Sequence, residues 1–340
     1  MSRELFEPHP MTGYRFVPGL RTRVPHVGGG YEIQCNRAGY RCRHEVTPDK
    51  PPGTFRLLVF GDGHTAGTGV DGAQRFTDLL ERRLGTYVQV LNFGLPGSGT
   101  DQQLLAFRQH GREIEHDLLL LCPQVENILR NLESRTVVPS PDLEADTPAF
   151  RPKPRFTLDG DELVLHPPPA DEPSERDADP PEPEPTALTE PPRPPLVRGI
   201  LRRVTAEVEK KVPGFHAFSR RVRGIGYPEE YADPHDPAWL LMKRILSTFI
   251  SEARSPVVLA PIPTSDHVEG GLSADSYLTR FGELSVEAGC EMVNLLPMFF
   301  DEPRSVRQQC RFEQDPRPTA KGHALFADGL LPHLRPYVAR

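Results

Sequence analysis

Chemistry in this chain would have to come from a few loops where polar side chains meet turn residues. The first is Gly61-Asp62-Gly63-His64-Thr65-Ala66-Gly67, which follows an apolar run. Small residues after a strand let the backbone approach a phosphate, so one reading is a dinucleotide loop. The spacing is GxGxxxG, one residue off that fingerprint. The acid that would hold a ribose is missing, since the next strand runs into Asn92-Phe93-Gly94, and no GK[ST] follows for a P-loop. The five cysteines (Cys35, Cys42, Cys122, Cys290, Cys310) contain no CxxC pair. Cys122 and Cys290 fall in apolar runs and read as core residues, and Cys35 and Cys42 read as free thiols. His323 has no second His or Cys at ligand spacing, so no metal site and no cofactor are expected.

The elements that must position these loops follow an α/β rhythm. Residues 55–60 (FRLLVF), 87–91, 118–122 (LLLLC), 257–261 and 292–295 read as five buried strands. Helices are expected over 74–84, from 100 onward, from the Asp236-Pro237 cap and N1 pair, over 273–288 with Gly289 as its stop, and over 319–331. Alternating strands and helices imply one parallel sheet covered on both faces, with ligands at the carboxyl ends of its strands. Residues 1–50 are rich in Gly, aromatics and Arg. There Tyr31, Ile33 and Cys35 alternate with polar residues as in a short strand pair, giving a β-rich extension ahead of a domain over 51–340. That domain is interrupted at 139–195 by a hairpin over 150–166, turning at Asp159-Gly160, and by an acidic proline-rich tract at 167–195.

Four blocks in this order resemble the SGNH (GDSL-type) hydrolase superfamily: 61–67 (GDGHTAG), 92–97 (NFGLPG), Glu126-Asn127 and 315–318 (DPRP). The resemblance spans 55–131 and 238–334. It implies a three-layer α/β/α, flavodoxin-like fold with a five-stranded parallel sheet, and esterase or acyl-hydrolase chemistry. In that family a serine in the first block attacks the acyl carbon, and a histidine of the last block takes its proton while an aspartate orients the ring. Backbone amides and an asparagine hold the oxyanion.

On this sequence the serine falls on Gly63, which has no side chain, and the histidine on Arg317, whose guanidinium stays protonated and cannot act as a base. The aspartate is kept as Asp315, and the second-block glycine falls on Gly94. Either Glu126 or Asn127 takes the asparagine position, and Asn127 has the required chemistry. Asp62 is expected to hold its loop through backbone amides, with Thr65 capping the following helix and His64 at the cleft surface. Asn92 and Thr100 read as turn and cap residues. His64, oriented by Asp62 or Asp315, is the one local candidate for a substitute base.

Three functions therefore stay open. The first is a pseudoenzyme that binds an acylated or anionic ligand over Gly63, Gly94, Asn127 and Arg317, or serves as a pathway partner. The second is an active esterase, acyl hydrolase or acyltransferase with a non-standard site. The third is a nucleotide-binding module. Composition narrows the partners. Proline is 39 of 340 residues, against a usual frequency of about 5%. Seventeen of these lie between Pro139 and Pro195, and most of the net charge of −7 lies between His166 and Pro195, where eight acids face two arginines. So little apolar surface implies a disordered tract. The near-neutral remainder argues against nucleic acid. No run reaches the ~18 apolar residues of a membrane span. Residues 1–14 show no signal-peptide core, so a cytoplasmic address is expected. A protein partner could dock on the acidic tract or on a basic helix over 196–223.

Overall fold

The structure is a computed structural model that describes residues 4–139, 149–169 and 226–339. The expected basic helix at 196–223, and residues 170–195 of the acidic tract, lie outside the described residues.

The extension forms two antiparallel hairpins, β1 (Phe6–His9) with β2 (Gly13–Phe16) and β3 (Arg21–Val24) with β4 (Tyr31–Gln34). The alternation expected around Tyr31 holds: Tyr31 and Ile33 are buried while Glu32 faces solvent. The inward faces meet in a small core that includes Phe6, Tyr14, Phe16, Val24 and Ile33, and Leu95 of the main domain joins it. Rings of Phe6 and Phe16 stack with centroids 4.6 Å apart.

The long apolar runs build the central sheet, as their continuous burial requires. Its strands are β5 (Phe55–Gly61), β6 (Val88–Gly94) and β7 (Leu118–Cys122). After two hairpins, β8 (Arg135–Val138) with β9 (Ala149–Pro152) and β10 (Arg155–Asp159) with β11 (Glu162–His166), come β12 (Val257–Leu259) and β13 (Glu291–Met292). The spatial order is β6-β5-β7-β12-β13, all parallel, which is the flavodoxin-like arrangement expected from the sequence. Leu57, Leu58, Val59, Phe60 and Leu118, Leu119, Leu120 have no exposed surface, because helices cover both faces.

Those helices are α1 (Gly63–Ala66), α2 (Phe76–Leu84), α3 (Thr100–Gln109), α4 (Pro237–Glu252), α5 (Ser265–Val268), α6 (Asp275–Ala288), α7 (Leu296–Phe300), α8 (Arg304–Arg307) and α9 (Ala320–Val338). Helix α2 packs on α9, and α3 packs on α4, which in turn meets α6. A last small hairpin pairs β14 (Arg311–Phe312) with β15 (Asp315–Pro318) just before α9. No helix of the described residues is long and apolar enough to cross a membrane.

Local signals hold at several ends. Asp236 accepts the Ala238 amide at 2.9 Å, and Gly289 stops α6 at φ +66. The 159–160 turn also stands, with Gly160 at φ +57. Others shift. The fourth and fifth strands are shorter than expected, and the fifth begins at Glu291 rather than Met292, an edge strand held by β12 alone. Gly99, not Thr100, caps α3: its amide is taken by the Gln102 side chain at 3.0 Å, while the Thr100 hydroxyl bonds Asn131 at 3.0 Å. Cys122 is fully buried, Cys290 only half so, and all five cysteines are free.

One side chain ties the extension to the domain. Arg41 is buried, and its guanidinium donates to the carbonyls of Ala66 and Gly67 at the end of α1, and to those of Glu32 and Val70. Burial, reinforced by neighbouring Arg75, pulls its pKa down to about 10, so it stays charged at neutral pH. Arg41→Met would strand several buried carbonyls, each costing about 1–3 kcal/mol. The expected loss in urea unfolding is therefore at least about 3 kcal/mol. Arg37→Met, at an exposed position, should leave stability within about 0.5 kcal/mol. Equal stabilities for the two variants would rule out this clamp.

Candidate functional site

The carboxyl ends of β5, β6 and β7 deliver three loops to one edge of the sheet. The loop after β5 is fixed by Asp62. Its Oδ1 accepts the His64 amide at 2.9 Å, capping α1, and lies 3.2 Å from His64 Nδ1. Its Oδ2 accepts Asn127 Nδ2 at 2.8 Å, which ties this loop to the one after β7. Burial alone would raise the carboxyl pKa, but the His64 ring and amide outweigh it and hold Asp62 at about 2. The expected role of Asp62 is thus met, and the cap belongs to Asp62 rather than to Thr65.

Glu126 and Asn127 face different ways. Asn127 is buried against Asp62, whereas Glu126 is exposed and accepts the Tyr227 hydroxyl. A carboxylate cannot donate to an oxyanion, and this one also points elsewhere. Asn127 in turn is already engaged, with Asp62 and, at 3.4 Å, with the Ser98 carbonyl.

Gly94 corrects the sequence reading more sharply. The expectation is an amide that faces a ligand, but it donates to Asn92 Oδ1 at 2.8 Å. Asn92 is held by its own amide donating to Thr65 O at 2.7 Å and Thr77 Oγ1 at 2.8 Å, so its oxygen is turned onto Gly94. Asn92 is therefore a brace between two loops rather than a simple turn residue. A Cβ on Gly94 would lie 2.3 Å from the Ala66 backbone nitrogen, so close loop packing is what this glycine serves. The glycine nearer the extension is Gly97, at φ +85, where a Cβ would stand 2.7 Å from the Tyr14 hydroxyl. Tyr14 is fully buried and donates to the Pro96 carbonyl.

Gly63 opens α1. A Cβ there would meet Thr68 Oγ1 at 3.3 Å and Pro96 Cα at 3.5 Å, and its φ lies outside the left-handed region. A Cβ here would thus require the Thr68 hydroxyl to give slightly. Thr68 and Pro96 line a small cleft, partly open to solvent, together with Arg317 and His26. The opposite wall comes from the extension, chiefly Phe6, Phe16, Val24 and Tyr31. The hairpins of the first fifty residues therefore roof the cleft beside Gly63.

Asp315 is where the chemistry departs furthest from expectation. Its Oδ1 accepts Arg317 Nε at 2.8 Å and the Arg317 amide at 3.0 Å, while Oδ2 meets Arg317 Nη2 at 2.6 Å. His26 from the extension adds its Nε2 to the same Oδ2 at 3.1 Å. Burial would raise the Asp315 pKa, but the Arg317 guanidinium outweighs it and holds the carboxyl below its ordinary value. An aspartate therefore still carries an imidazole. Yet His26 Nδ1 accepts the Gly28 amide at 3.2 Å, so both ring nitrogens are engaged in hydrogen bonds. Asp315 and Arg317 are brought together, and Arg317 spends much of its donor set on its own neighbour.

His64 lies on the other side of the loop. It is mostly buried, oriented by Asp62 and not by Asp315, and lines a second cleft beside Pro316 and Pro318. His323 packs inside, accepting the Phe76 amide at 3.4 Å, as expected for a structural residue. Among the described residues no cluster of ligands fit for a metal is found. Sequence reasoning missed His26, Tyr14, Thr68 and Arg41. The first two reach the site only through tertiary folding, His26 from 289 positions away from Asp315, so no local pattern marks them.

No family model matches the chain, and no curated protein matches it. Among solved structures, it is similar to a member of the lipolytic G-D-S-L family from Veillonella parvula. That match has 11% identity and a TM-score of 0.43, over 82% of this chain and 97% of the other. A lipase/acylhydrolase from Enterococcus faecalis matches at 12% identity and TM-score 0.44, over 83% of this chain and 96% of its own. A carbohydrate acetylesterase family member from Sinorhizobium meliloti matches at 12% identity and TM-score 0.38, over 84% and 100%.

Proposed function

We propose that this chain is a divergent member of the SGNH (GDSL-type) group that has left serine acyl hydrolysis and binds a small acylated or anionic ligand without cleaving it. The observation that carries this reading is the saturation of Asp315. Both carboxylate oxygens are held by Arg317 and His26, so the aspartate anchors the extension instead of orienting a base. No nucleophile stands at Gly63 to need one. The roofed cleft remains, with a guanidinium at its edge and apolar walls, a composition suited to an acyl group or a carboxylate.

A second reading, an active hydrolase with a non-standard site, is favoured by one contact, the Asp62–His64 pair. One assay separates the two. The wild-type protein should show no labelling by a fluorophosphonate probe and no turnover of p-nitrophenyl acetate above the buffer rate. Ester turnover that disappears in His64→Ala would instead establish the second reading.

Binding is tested by calorimetric titration with acetate and with acetylated sugars. Saturable binding is expected for at least one of these sets, weakened about tenfold or more in Arg317→Met. No heat from either set would remove the ligand-binding reading.

A further inference from the structure

The cleft beside Gly63 is small, and most of its polar groups are spent. It has room for about three water molecules. His26 turns its ring nitrogens to Asp315 and Gly28, and the Tyr31 hydroxyl meets the Gly69 backbone. Two donors remain in the lining. Arg317 binds Asp315 through Nε and Nη2, which leaves Nη1 without a partner among the described residues. The Thr68 hydroxyl, 3.3 Å from where a Cβ on Gly63 would stand, has none there either.

Charge and shape narrow what these two donors can hold. Asp315 neutralises Arg317, so the pair offers hydrogen bonds without a net positive charge. A carboxylate would lose hydration in the cleft and face Asp315, with no unpaired lysine or arginine in the lining to offset that. A neutral carbonyl oxygen has two lone pairs and no charge to desolvate, so it matches two donors. The opposite wall is apolar, with Phe6, Phe16, Val24 and Ile33 of the extension. All four are buried in the core shared by the two hairpins, so packing fixes the wall. Past a carbonyl group, the space left takes about one methyl group.

We infer, on the ligand-binding reading above, that the cleft takes the acetyl end of a neutral ester or amide, and that the extension sets the limit on acyl length. The carbonyl oxygen accepts from Arg317 Nη1 and the Thr68 hydroxyl. The methyl lies against Val24 and the phenylalanines, and the rest of the molecule leaves through the open side. Longer acyl chains are excluded because their further methylenes meet the roof.

Titration of the whole chain with N-methylacetamide, N-methylbutanamide and acetate, followed by amide chemical shifts, tests this. N-methylacetamide should bind saturably, and the other two about tenfold more weakly. Thr68→Val, which keeps the shape and removes the donor, should weaken N-methylacetamide about fivefold. Val24→Ala, which takes two methyl groups from the roof, should bring N-methylbutanamide to within about twofold of N-methylacetamide. Should Thr68→Val unfold, the Val24→Ala comparison still decides. No saturable binding of N-methylacetamide, acetate or N-methylbutanamide binding equally well, unchanged affinity in Thr68→Val, or an unchanged length preference in Val24→Ala would overturn the inference. Tighter binding of acetate would do so while leaving the cleft as an anion site. Silence of acetate and acetylated sugars as well would remove the ligand-binding reading itself.

Discussion

The arrangement depends on a buried cation reaching across from the extension. Arg41 places its guanidinium among carbonyls of Ala66, Gly67, Val70 and Glu32, with no carboxylate of the described residues in direct contact. Charge-assisted bonds to carbonyls are strong, and their loss would leave both the cation and its acceptors without water. The consequence is geometric. The loop carrying Asp62, Gly63 and His64 is tied at Ala66 and Gly67 to the segment that follows the two N-terminal hairpins. Those hairpins in turn bring Tyr14 to Pro96 and His26 to Asp315.

The loops of the candidate site share one frame. The frame is the sheet, the Asp62 bonds that join the loops after β5 and β7, and the Asn92 bonds that join those after β5 and β6. Each of these bonds consumes a donor or acceptor that acyl transfer would want free. Gly94 and Asn127 donate inward, and Asp315 receives Arg317 and His26. Stability of the loops and readiness for an oxyanion draw on the same few groups. Here the first use prevails, as the absence of a side chain at Gly63 makes natural.

Much of the fold is legible in the sequence because its causes are local. Short apolar runs such as Leu118 to Leu121 suit a covered strand, and Asp236-Pro237 or Gly289 mark helix ends by their own conformational preferences. What Gly63 and Arg317 cannot do is equally legible, since a glycine carries no nucleophile and a guanidinium is no base. What the amino-acid pattern does not carry is the direction of hydrogen bonds. The motif implies an outward amide at Gly94, but Asn92, two residues earlier, claims it. Glu126 and Asn127 differ by one position along a 3-10 turn, and only packing turns the second onto Asp62. The His26 contact joins segments nearly a chain length apart, and nothing periodic announces it.

In the proposed function, two side chains, at positions 63 and 317, separate this protein from serine acyl hydrolysis, and a Cβ at position 63 fits once Thr68 gives slightly. The most direct measurement is the rate of fluorophosphonate labelling of Gly63→Ser combined with Arg317→His, set beside the wild type. The account predicts no labelling of the wild type and slow labelling of the double variant at the introduced hydroxyl. That rate is limited because Gly94 and Asn127 remain turned inward. Labelling of the wild type at a rate equal to the double variant would contradict it.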